Sequence, residues 1–336
     1  MMSGNQWTAL TAAELSNLWT SYQNDSMAIC GIKFYLSHVK DEEIKQVLEY
    51  ALQISEEHIS KVRDFLKQEH CAIPLGFTDA DVNMEAPRLF SDRFYLEYIS
   101  NMGKFGLTAY SLALSISDRS DMIGFYSDCL DETKKLHNMA KEVGKKKGVL
   151  IRTPEIPKTE KVNFVKKQSF LAGWFGDKRP LLGVEVANLV YNAKRNALGA
   201  ATIIGFAQVA ENKAVQRYFE RGLELANKHF DKFQSVLREE DLHPGALNLA
   251  SEVTSSTEPP FSDKLMMYHI TALIGSGIGQ YGVAMASGPR HDLSLLYGRL
   301  IVELSRYAED GAKIMIEHGW MESPPSAADR HKLFQE

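Results

Sequence analysis

Phe90-Ser91-Asp92-Arg93 returns as Phe261-Ser262-Asp263-Lys264, 171 positions further along the chain. The same offset joins Glu14 to Glu185, His58 to His229, Gly106 to Gly277, Tyr110 to Tyr281, Arg119 to Arg290, Asp121 to Asp292 and Gly148 to Gly319. One constant offset held from Glu14 to Gly148 leaves almost no net insertion or deletion, so the chain is two copies of one unit. A unit of 171 residues is too long for a solenoid repeat, and each copy is expected to bury its own core. The expected boundaries are residues 1–150 for the first copy, 151–180 for an inter-repeat segment and 181–336 for the second copy.

Each copy reads as four long helices, because β-branched alternation never persists for more than a few residues. In the first copy a helix is expected from about Ala12 to Val39, with Thr11 and Glu14 forming a capping box. A second runs from Asp41 to about Glu69, with the apolar seam Ile44, Leu48, Ala51, Ser55, His58, Val62 and Phe65 stepping alternately by four and three. A third follows Ser91, and a fourth runs from Asp118 to about Lys147. The second copy repeats them near 183–210, 212–240, 262–287 and 290–318. Helices one and two, and three and four, are joined by short turns and must be antiparallel neighbours. Between helices two and three lie about twenty residues, which reach about 65 Å when extended. A helix of about 28 residues is only about 42 Å long. The loop can therefore traverse the bundle, giving the crossover connection of ferritin-like bundles. The fold expected is all-α: two tandem ferritin-like four-helix bundles, each with a long crossover between helices two and three.

Composition excludes several classes. Of 336 residues, 44% are hydrophobic and 24% charged, as in an ordinary globular protein, and the net charge of −5 gives no basic face for nucleic acid. Lys145-Lys146-Lys147 sits at a helix end, where cations suit the dipole. Cys30, Cys71 and Cys129 form no framework and fit a reducing, cytoplasmic compartment. The stretch Leu265–Pro289 is long enough to span a bilayer, but it is interrupted by Gly275, Gly277, Gly279 and Gln280, and its counterpart carries Glu97, Lys104 and Asp118. A packed central helix is expected there, with no membrane span. With Gly199, Ala200, Ala201 and Gly205, these glycines read as a face for close helix approach, within the bundle or across a subunit interface. Between the copies, Phe164, Val165, Phe170, Leu171, Trp174 and Phe175 are expected to pack across one or both bundles.

A crossover bundle raises di-metal chemistry, in which Glu-x-x-His pairs on two helices converge with two further Glu residues. Here the set is broken: Ser55 and Ala226 precede His58 and His229 by three residues, and Glu132 and Glu303 precede Lys135 and Arg306. What is left is a candidate site for a single transition metal ion. It comprises His229, His269 and Glu303, with His58 as the first-copy counterpart of His229, set against the reading of each His as a hydrogen-bonded core residue. The loop Asp79-Ala80-Asp81-Val82-Asn83 starts like a calcium loop but has Met84 and Phe90 where Gly and Glu are needed. No catalytic residue and no bound cofactor is assigned.

The loop Ile73–Asn83, the two Phe-Ser-Asp-basic helix starts, and Phe175-Gly176-Asp177-Lys178-Arg179-Pro180-Leu181 resemble a tandem ferritin-like family of endospore-forming bacilli, related to spore coat protein F. The resemblance implies a ferritin-like fold and a link to sporulation, in the mother cell or the spore coat. It carries no catalytic residues across. The expected function is a non-enzymatic structural or interaction protein, self-associating or bound to other coat proteins. The alternative is a metal- or small-molecule-binding bundle descended from a di-iron protein.

Overall fold

The computed structural model describes residues 9–172, 178–242 and 248–330. Among the described residues eight long helices form: α1 (Ala12–His38), α2 (Glu42–Gln68), α3 (Asp92–Ser115) and α4 (Ser120–Lys146) in the first half, and α5 (Gly183–Val209), α6 (Lys213–Arg238), α7 (Asp263–Ser287) and α8 (His291–Glu317) in the second. Among the described residues there is no strand, and no helix is long and apolar enough to cross a membrane.

The residues that recur between the halves fix the helix ends. Thr11 and Glu14 form the expected capping box, and the second oxygen of the Glu14 carboxylate accepts the N–H groups of Asp118 and Arg119 at 3.0 and 2.9 Å. One buried carboxylate therefore ties the start of α1 to the start of α4. Arg119 adds ion pairs to Glu69 and Asp121, both at 2.6 Å, which bring in the end of α2. Glu185 and Arg290 do the same in the second half, where Arg290 pairs with Glu240 at 3.2 Å and Asp292 at 2.8 Å. At the opposite end Asp92 accepts the N–H of Asp41 at 2.9 Å, and Asp263 accepts that of Asn212 at 2.8 Å. The starts of α2 and α3 thus lie together. The helix directions are up, down, down, up, and the α2–α3 loop must run the length of the bundle. Gly148 and Gly319 both take φ of +67°, the left-handed conformation that ends α4 and α8.

The two crossover loops clasp each other. Val82 bridges Phe261 and Phe90 bridges Val253, both antiparallel. The N–H of Asn83 donates to the Pro260 carbonyl and that of Thr254 to the Leu89 carbonyl, each at 2.9 Å. Ser262 donates its N–H to the Asp81 carbonyl and Ser91 donates its own to the Glu252 carbonyl, again at 2.9 Å each. The Ser262 hydroxyl donates to the Asp81 carboxylate at 2.7 Å and the Ser91 hydroxyl to that of Glu252 at 2.5 Å. Each of these contacts has a twin in which each partner is replaced by its own repeat counterpart. The halves are therefore related by a local two-fold axis, as the subunits of an isologous dimer are. Tyr98 and His269, which occupy equivalent positions, meet each other edge to face at 5.2 Å.

The core follows from this clasp. One apolar cluster belongs to the first half, around Leu18, Val62 and Tyr126, and another to the second, around Leu189, Phe233 and Tyr297. A third runs through both, joining Phe34, Phe90 and Phe94 to Phe206, Phe219 and Phe261. Each copy thus buries a core of its own, as expected, and a further part of the interior is shared between them. The apolar connector differs in part from expectation. Phe164 is 83% exposed and Val165 is exposed too, so they lie on neither bundle, whereas Phe170 is half-buried under the Arg179 guanidinium at 4.4 Å; Trp174 and Phe175 fall outside the described residues. The small-residue face is divided too. A Cβ on Gly275 or Gly279 would meet nothing within 4 Å, whereas Gly205 lies against the ring of Phe90 from the other half.

Where the halves diverge, they do so in compensating sets. Val47, Ala51, Leu136 and Ala140 become Tyr218, Gly222, Tyr307 and Gly311. The two tyrosine rings stack at 4.2 Å, and each hydroxyl donates to the other's backbone carbonyl, at 3.2 and 2.9 Å. The Tyr307 hydroxyl occupies the place a Cβ on Gly222 would take, and the Tyr218 hydroxyl does the same at Gly311. Gly222→Ala should therefore overpack the bundle and cost about 1–3 kcal/mol, measured by urea unfolding. An unchanged midpoint would show that the ring pair yields freely.

Candidate functional site

In each half the same three side chains meet at mid-bundle. His58 on α2 contacts Glu132 on α4 through Nε2 at 2.7 Å and Tyr110 on α3 through Nδ1 at 3.2 Å. His229 on α6 contacts Glu303 on α8 at 3.1 Å and Tyr281 on α7 at 3.2 Å in the same way. A neutral imidazole satisfies both: Nε2–H donates to the carboxylate and Nδ1 accepts from the tyrosine hydroxyl. Burial holds His229 below the ordinary imidazole range, against the pull of Glu303. Burial works to raise Glu303, but the Lys228 ammonium at 2.7 Å and His229 together outweigh it and hold the carboxyl below its usual range.

The halves part at the fourth member. In the second, Asn196 on α5 donates its amide N–H to the Tyr281 hydroxyl at 2.8 Å, so that oxygen has both a donor and an acceptor. In the first, the equivalent residue is Asp25, an acceptor. Tyr110 has one proton and now faces two acceptors, His58 Nδ1 and the Asp25 carboxylate. Asp25 is 6% exposed, its Oδ2 stands 3.8 Å from His58 Nδ1, and that oxygen has no hydrogen-bond partner. Burial pushes its carboxyl up to about 6, against the opposing effects of His58, Ser55 and Tyr110.

Asp25 and His58 line a cavity of about 150 Å³. Its far wall comes from the second half, through His269, Leu273 and Ser276 on α7, and it comes near the surface at the exposed Thr20. The second half has a smaller space of about 80 Å³ beside Asn196 and Tyr281, with no acid in its lining.

The metal candidates fall out as follows. His229 and Glu303 meet, and His58 meets Glu132. His269 does not join His229. It packs instead between Tyr98 and Phe206, where burial lowers its basicity to about 4. The residue of α7 level with His229 is Tyr281, twelve positions and so about 18 Å of helix beyond His269. Among the described residues no group of three or more His, Cys, Asp or Glu side chains is placed to hold a metal ion. Tyr110 and Glu132 stand out in the sequence only as recurring residues and Asp25 only as lying near the level of His58 on the antiparallel helix; none of the three is a candidate ligand there. The recurrence of Tyr110 and Glu132 at the 171-residue offset was a usable signal, and the change of Asp25 to Asn196 was another.

Two segments, residues 2–162 and 169–333, each match the model of one family, described as "Protein of unknown function (DUF3231)". No curated protein matches the chain. A crystal structure from Bacillus halodurans C-125, provisionally described as a spore coat protein, is similar at 22% identity and a TM-score of 0.41. That match covers 46% of this chain and 99% of the other.

Proposed function

We propose, for a chain that belongs to the DUF3231 family, a non-enzymatic structural and interaction role in sporulation, as a ferritin-like building block of or beneath the spore coat. The observation that carries this reading is the clasp. Recurring residues are committed to locking two bundles into one block, and a rigid block is what an assembly unit requires. The connector leaves Val162, Phe164 and Val165 exposed, which suits self-association or attachment to other coat proteins. The up, down, down, up helix order supports the ferritin-like assignment, and the motif resemblance supports the link to sporulation. Fractionation of the native host during sporulation tests the role. Recovery in the coat fraction is expected; a wholly soluble pool, monomeric at high micromolar concentration, would count against it.

A second reading, a bundle that binds a small molecule or a metal ion, is favoured by the cavity beside Asp25. In its metal form His229 and Glu303, or His58 in the first half, would supply ligands, and elemental analysis showing no metal after purification without supplements removes that form.

A further inference from the structure

We propose that the cavity between the first bundle and α7 is a binding site for one small organic cation, an amine on an aromatic or alicyclic body, whose ammonium group is received by Asp25. The inference rests on the small-molecule form of the second reading and adds the class of ligand.

Three observations converge. The first is an orphaned carboxylate oxygen in a buried wall. Oδ2 of Asp25 lacks a partner: the hydroxyls of Ser55 and Tyr110 act on the carboxyl without supplying that oxygen, and His58 gives its Nε2 proton to Glu132. A ligand ammonium supplies both the missing donor and the countercharge, and a charge-assisted bond in a site shielded from water is a strong one. The raised basicity of the Asp25 carboxyl accords with a group waiting for such a partner.

The second is the shape and lining of the space. A cavity of about 150 Å³ has the size that takes a benzene-like body. Tyr98, Phe105 and Tyr110 offer aromatic surface, and Met27, Met102 and Leu273 offer aliphatic surface. Aromatic walls around a single carboxylate favour an organic cation over an inorganic one, since ring faces attract the charge while the body buries apolar area.

The third is the contrast between the halves. The same position in the second half is Asn196, already satisfied by Tyr281, and Ser55 is replaced by Ala226. The space there is smaller and carries no acid. The acid is therefore not demanded by the fold, and one site per chain is expected rather than two.

Calorimetric titration of the full chain with benzylamine, and with benzyl alcohol as the neutral analogue of the same size, tests the assignment. Benzylamine is expected to bind with a stoichiometry of one and at least about tenfold more tightly than the alcohol, a preference that Asp25→Asn abolishes while the variant remains folded. A cavity-filling variant, Ala109→Phe, should block both ligands. Equal affinity for amine and alcohol, unchanged by Asp25→Asn, would overturn the cation site while leaving an apolar binding bundle. Binding of neither ligand would overturn this inference together with the small-molecule form of the second reading.

Discussion

Phe90→Ala and Phe261→Ala are each expected to lower the unfolding free energy by about 3–5 kcal/mol, the usual cost of truncating a fully buried phenylalanine. Phe90 is fully buried, stacked on Phe94 at 3.9 Å, with its ring laid over Gly205 of the other half. Phe261 is 3% exposed and sits 5.3 Å from Phe34, also of the other half. Neither ring serves one bundle alone. Because the interior they fill is shared, the loss should be felt by both halves together, and urea unfolding should shift as a single transition followed alike by helix content and tyrosine fluorescence. Two separated transitions, with only one displaced, would mean that the bundles stand independently and that the clasp is a minor contact. The local two-fold axis adds a control, since the two variants occupy equivalent sites and should cost similar amounts.

Asp25→Asn is expected to have a large effect of opposite sign, stabilising the protein by about 2–3 kcal/mol near neutral pH. The Asp25 carboxyl rises from about 3.8 to about 6 on folding, and each unit corresponds to about 1.4 kcal/mol. The sign follows from proton counting. Between those values the folded state holds a proton that the unfolded state has released, so stability falls as pH rises through the window, and the full penalty stands above it. Around Asp25 lie His58 on α2, Tyr110 on α3, Tyr126 and Cys129 on α4, and Tyr268 on α7, with Glu132 behind His58. Asparagine carries no charge to desolvate and brings back the donor that Asn196 provides in the second half. The gain should be largest at pH 7.5 and nearly gone at pH 3, below both values, where Asp25 is largely protonated in both states. Urea unfolding at the two values measures it. A variant less stable than the parent at pH 7.5 would show that the carboxylate is already compensated.

Much of the architecture could be read from the sequence because each recurring residue has a local job. Ser91 and Ser262 cap helices, Glu14 and Glu185 take up the free N–H groups at helix starts, and the long α2–α3 loops can do little except cross the bundle. The clasp is not legible, although its members Phe90, Ser91, Asp81 and Val82 all belong to motifs that stand out in the sequence. Backbone pairing between loops more than a hundred and fifty residues apart leaves no periodicity to detect, and a residue that caps its own helix gives no sign of touching another. The site was half legible for a related reason. Seam spacing places His58 and His229 inside the bundles, and Glu303 could be named beside His229, but the Tyr110 and Tyr281 partners lie on other helices whose rotation no pattern of one strip of sequence fixes. His269 misled because its helix is apolar nearly all round, so that facing the core and facing the other half look alike.

The reciprocal fit of the crossover loops also bears on how the chain behaves in a crowd. Each loop recognises a surface that every neighbouring molecule also displays, so only effective concentration decides whether a half pairs with its own sibling or with a stranger's. Residues 147–182, which join α4 to α5, could reach about 120 Å if drawn out, ample for the halves of two molecules to trade places. Domain exchange of that kind would create no new interface, and a string of such exchanges would knit separate molecules into a continuous lattice using contacts the monomer already contains.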